Sequence, residues 1–251
     1  MENPEIAKQV AVDNPMKEWL VSYVGEAVKP ENNQVTVGMI VEQMMKEFPE
    51  FLMVIAEENF IRGYQQAFDT VNKRVPPVLA QELDIIYIGQ FPQLKARSVE
   101  SAYMNGAIFL SNEIVDNDIF IKSIIHELAH SVEKIFGREV FGDQEIIEEF
   151  ISKRKQLQDI LESHKLYCDP RLYIQFDYSR IFDDFLYKTV GYDRLAQLTT
   201  KLFISPYAAT SLREYFANGF EHYFVDENPK YLKSISPRLY SKINSLTKIA
   251  D

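Results

Sequence analysis

An α+β, mainly helical fold is predicted for this chain of 251 residues from three observations. Apolar residues recur at helical spacing through most of its length, strand-length apolar runs cluster between 83 and 111, and an Asn-Gly pair separates two of those runs. A hydrophobic content of 46% against 25% charged residues is enough to build a large core, and argues against a disordered chain.

Residues 1–78 read as a helical N-terminal extension and 79–251 as a second domain with a small antiparallel sheet. Within the extension, Val37, Ile40, Val41, Met44 and Met45 have helical spacing, Pro49 opens a second helix reaching Lys73, and Pro76-Pro77 marks the change of structure. The run 83–89 (LDIIYIG) has strand length. Runs 98–104 and 107–111 flank Asn105-Gly106, a pair that tolerates the positive φ of a type I′ turn and so predicts a hairpin. Its second strand, Ala107–Ser111, is a candidate edge to which an extended peptide could add. Asp118 can cap a long amphipathic helix that Gly137 can end. Further helices are expected at about 143–166, 178–203, 211–224 and 229–248, with Ser211, Asn228-Pro229 and Ser236-Pro237 as N-cap and first-turn signals.

Charge and cysteine content narrow the function. A net charge of −10 argues against nucleic acid as a partner, because phosphate binding needs a basic footprint. The single cysteine, Cys168, forms no intrachain disulfide, and it reads as packing. The N-terminus has neither the basic nor the apolar region of a secretory signal, and no apolar run approaches the roughly 20 residues that span a bilayer. The expectation is a soluble protein with no membrane partner, cytoplasmic or carried in a larger assembly, with secretion by another route left open.

His126-Glu127-Leu128-Ala129-His130 is an HExxH sequence. On a helix, residues four apart share a face one turn apart, so both imidazoles can reach one ion while Glu127 sits beside them as a general base for a metal-activated water. Neutral imidazole suits zinc, and the apolar Ile124, Ile125, Leu128, Ala129 and Val132 supply a dry setting. A catalytic zinc needs a third protein ligand and one open position. The metzincin arrangement is excluded, since Glu133 and Phe136 stand where it needs Gly and His. Two carboxylates stay open: Glu149, in the charged run EIIEEFISKRKQ at a spacing some metalloaminopeptidases use, and Glu214, on a helix starting near Ser211. His222, two turns beyond Glu214, reads as structural, and His164 as a surface residue. The charged run around Glu149 reads as a solvated helix face.

The stretch SPYAATSLREYFANGFEHYF (205–224) resembles the corresponding region of the anthrax lethal factor metallopeptidase family, which includes bacterial Pro-Pro endopeptidases. In that family a tyrosine precedes the third-ligand glutamate by seven residues, and the glutamate opens a helix of the form E-aromatic-F-A-x-x-F. Tyr207 and Glu214-Tyr215-Phe216-Ala217-Asn218-Gly219-Phe220 match this pattern, and the tail NPKYLKSISPRLYSKINSL is similar to the family's closing helices. The resemblance spans about 98–136 and 205–248. It implies a zincin-like metallopeptidase domain holding one catalytic zinc on His126, His130 and Glu214, with Glu127 as base and acid and Tyr207 as donor to the oxyanion. The expected activity is endopeptidase cleavage of a peptide or protein substrate. The alternative is a structural or assembly component, such as a virion or toxin complex subunit, built on the same fold with its N-terminal helices as the docking surface for a protein partner.

Overall fold

The computed structural model describes residues 63–97, 99–114, 116–226 and 229–249. The chain divides into two units, Met1–Tyr64 and Gln65–Asp251. The helix expected over 36–48, the start of the one from Pro49 and the docking surface expected there lie outside the described residues. Everything below concerns the second unit, which is helical over 65–74 and takes Val71, Val75 and Leu79 into its core.

The sheet has three strands: β1 (Ile85–Gly89), β2 (Ser101–Met104) and β3 (Ala107–Ser111), with a short helix α1 (Pro92–Arg97) between the first two. The Asn105-Gly106 hairpin forms as predicted, with φ of 50° and 86°. A Cβ on Gly106 would meet Asp84 Oδ2 at 2.5 Å, so glycine serves both the turn and the close approach. Two expectations fail. The sheet is mixed, because β1 runs parallel to β3 in the order β1-β3-β2. Ala107–Ser111 is therefore the central strand, bonded on both sides, and among the described residues β2 is an edge. The cause is α1, whose length lets the chain step past the position β3 later fills before the hairpin turns back.

Helix α2 (Asn117–Phe141) packs on the sheet through a buried stripe that includes Phe120, Ile124, Leu128, Ala129, Val132 and Phe136. Its cap is Asp116, which accepts from the Asp118 and Ile119 N–H groups at 2.8 and 3.0 Å; Asp118 lies inside the first turn. Nor does Gly137 end it. A mid-helix glycine costs only about 1 kcal/mol, and buried Phe136 and Val140 carry the apolar stripe onward to Gly142.

Helix α3 (Glu145–Ser163) follows. The helix expected over 178–203 is broken into α4 (Arg180–Asp184), a π-helical turn (Phe185–Val190) and α5 (Tyr192–Leu198), because Gly191 takes φ 84°. Ser211 caps α6 (Leu212–Val225) by accepting from Glu214 N at 3.2 Å, and α6 lies along α2. Then α7 (Lys230–Ile235) and α8 (Pro237–Ile249) divide at Ser236, where Pro237 restarts the helix. Among the described residues no helix is long and apolar enough to cross a membrane.

The charged run of α3 is solvated only in part: Glu148, Lys155 and Gln156 are exposed, but two of its cations turn inward. Arg154 is fully buried and Lys153 nearly so. Among the described residues Arg154 has no carboxylate partner; its guanidinium donates to the carbonyls of Ala209, Thr210 (3.1 Å), Leu172 (2.5 Å) and Gln175 (3.2 Å), and stacks 3.9 Å from the Phe182 ring. Five fixed donors let one arginine gather backbone oxygens from two loops, one of which leads directly into Ser211 and α6.

Candidate metal centre

The helical period of α2 puts His126 and His130 one turn apart with their rings edge to face, centroids 5.3 Å apart. The first turn of α6 brings Glu214 to them from 88 residues away: Oε2 lies 3.2 Å from His126 Nε2 and Oε1 lies 3.7 Å from His130 Nε2. One ligand atom from each of the three residues falls within 4.8 Å of the others. Bonds of about 2.1 Å around a tetrahedral zinc give ligand–ligand edges of roughly 3.4 Å. The two measured separations bracket that edge, and two imidazoles with one carboxylate are a donor set suited to zinc, so the three residues fit the ion.

These residues line one cavity of about 400 Å³. Glu127 opens onto it with only 6% of its surface exposed, and its Oε1 accepts from Ser101 Oγ of β2 at 2.7 Å. Tyr207, in the short turn Tyr207–Ala209 before Ser211, and Tyr178 form an aromatic part of its wall. Tyr207 rests edge to face on Tyr192 at 6.3 Å, and Asp183 accepts hydrogen bonds from Tyr178 (2.7 Å) and Tyr192 (2.6 Å), so the aromatic wall is anchored by one carboxylate. Arg213 also borders the cavity, donating from Nε to Glu133 Oε2 at 2.6 Å.

Electrostatics bind the cluster together. Burial would push the His126 imidazole down, but the hydrogen bonds it donates to the Glu214 and Glu221 carboxylates outweigh it and lift the ring to about 10. Burial likewise acts to raise Glu214; the hydrogen bond to His126 and the positive charges of the histidines and Arg213 reverse this and hold its carboxyl below the usual range.

Glu149 is not part of the cluster. Its carboxylate accepts from Tyr215 Oη at 2.8 Å and from the backbone N–H groups of Arg238 (2.9 Å) and Leu239 (3.1 Å), so it caps the start of α8. His222 pairs with Asp226 at 2.6 Å and packs on Tyr231, while His164 is exposed. Burial raises the Cys168 thiol, which is the wrong direction for a nucleophile.

Two residues at the site carry no motif. Ser101 has no local signal, because the contact joins a strand to a helix across 26 residues. Glu221, whose Oε2 lies 3.2 Å from His126 Nδ1, does have one: seven residues after Glu214 is two helical turns, hence the same face. Comparison with protein-family models, curated proteins and solved structures finds no match for the chain.

Proposed function

We propose that this chain is a zinc-dependent endopeptidase with a zincin-like catalytic domain, in which His126, His130 and Glu214 hold the metal. The observation that carries the reading is the convergence of one ligand atom from each of the three residues to within 4.8 Å of the others, beside a buried glutamate in an open cavity. Zinc at that point would supply Lewis acidity, lowering the pKa of a water towards ~7 and polarising a carbonyl oxygen. Glu127 takes the proton from the attacking water as the new C–O bond forms, then delivers it to the amide nitrogen as the C–N bond breaks. Tyr207 donates its hydroxyl hydrogen to the carbonyl oxygen as charge builds there. Edge strand β2, whose Ser101, Ala102 and Tyr103 line the cavity, offers backbone hydrogen bonds to an extended peptide.

The test is metal analysis with cleavage of a peptide library. Glu127→Ala should lower the cleavage rate by at least about 10²-fold while the protein keeps its metal. Glu214→Ala should strip the metal, whereas Glu149→Ala should leave metal content intact and weaken the fold through the lost cap of α8. A Glu127→Ala protein that cleaves as fast as the parent would overturn the mechanism.

A further inference from the structure

Glu214 and Glu221 lie on one face of α6 and close on the same imidazole from opposite sides, at 3.2 Å from Nε2 and 3.2 Å from Nδ1. The two ring nitrogens do different work. A histidine that ligates through Nε2 keeps its proton on Nδ1, and the acceptor of that proton decides both the tautomer and the plane of the ring. Glu221 is that acceptor for His126. Its side chain is 27% exposed, so it meets His126 in a partly desolvated setting. His130 is treated differently. The nearest carboxylate to its Nδ1, Glu133, stands at 3.8 Å with Oε2 committed to Arg213 at 2.6 Å, and among the described residues the buried His130 Nδ1 has no hydrogen-bond partner. Direct control of ring orientation therefore acts on one histidine, and it comes from the same helix that delivers the third ligand.

We infer that Glu221 is a positioning residue of the metal centre: by accepting the Nδ1 proton it holds His126 in the tautomer and orientation that present Nε2 to the ion. One helix thus carries both a ligand and the group that aims another ligand, and any displacement of α6 along α2 disturbs two of the three metal bonds together. A glutamate that served only to keep α6 soluble or helical would have no such effect on the metal.

The inference rests on the metal reading above, and one set of measurements separates the two. Zinc dissociation constants are determined by chelator competition on the full chain for the parent, Glu221→Ala, Glu221→Gln and His126→Ala, with cobalt(II) absorption spectra of each and thermal unfolding of the metal-free forms. Glu221→Ala should raise the zinc dissociation constant about 10–100-fold and change the cobalt spectrum. Glu221→Gln, whose amide oxygen still accepts from Nδ1, should recover most of the affinity, and it keeps the inference open to test if Glu221→Ala does not fold. Zinc affinity within twofold of the parent in both Glu221 variants, with His126→Ala losing the metal, overturns the positioning role and leaves the metal centre standing. Equal zinc affinity in His126→Ala and the parent overturns the metal centre, and the role of Glu221 with it.

Discussion

In the proposed mechanism Glu127 has to keep a carboxylate oxygen aimed into the cleft while nearly all of its surface is out of water. The Ser101 hydroxyl donates to Oε1 at 2.7 Å, so in that mechanism Oε2 would be the oxygen that exchanges the proton. Removing that hydroxyl frees the side chain to turn without touching the metal ligands. Ser101→Ala is therefore expected to lower turnover roughly tenfold, the effect of one hydrogen bond of about 1.4 kcal/mol, with zinc content and melting temperature unchanged. Unchanged turnover in that variant would assign the Ser101 contact to packing. The residues of HExxH are legible in the sequence because their chemistry depends on a spacing of four along one helix. Ser101 is not, because nothing near it in the chain marks what it will face. Glu221 is an intermediate case: its spacing from Glu214 is visible, but that His126 lies against that face is not.

At the scale of elements, α6 sets the site, since it delivers Glu214 and Glu221 to α2. Its N-terminus is fixed by Ser211, and the loop before Ser211 by the buried guanidinium of Arg154. Its far side is fixed by a close approach to α8 at Gly219, where a Cβ would collide with the Leu239 side chain. Gly219→Ala should gain helix propensity yet lose about 1–3 kcal/mol of stability from overpacking. Leu239→Ala supplies room, so adding Gly219→Ala to that background should cost at least about 1 kcal/mol less than in the parent; denaturant unfolding of the four proteins measures the coupling. Strict additivity would show that the two residues do not meet. The hairpin and the start of α6 are legible in advance because Asn105-Gly106 and Ser211 act within two or three residues of themselves. The parallel pairing of β1 is not, since it depends on which way α1 carries the chain before the hairpin forms.

At the scale of the molecule, a buried lysine links α3 to the segments on either side of the site helix. Lys153 donates to the carbonyls of Leu202 and, at 2.6 Å, Ile235, and burial pulls its ammonium from 10.5 down to about 8. Between about 8 and 10.5 the folded protein has shed a proton that the unfolded chain still binds, so this residue makes stability rise with pH through that window. Below 8 both states are charged and the folded one carries the full cost of burying the ammonium. Lys153→Met should therefore flatten the pH dependence of unfolding free energy from pH 8 upward relative to the parent; parallel curves would show that Lys153 keeps an ordinary ammonium. The run containing Glu149, Lys153 and Arg154 looks like a solvated face in sequence because charge density alone suggests water. In the fold those three side chains satisfy backbone groups at α8, at 202 and 235, and at 209–210. Local pattern was sufficient for the histidine pair, its flanking glutamate, the turn at 105–106 and the capped start of α6, because each depends on residues within one or two turns of chain. Which strand is an edge, which charges are buried, and that the Glu214 carboxylate lies against the histidines while Glu149 caps α8, were decided by tertiary packing, because these depend on groups 18 to 90 residues apart being pressed together by the shared core.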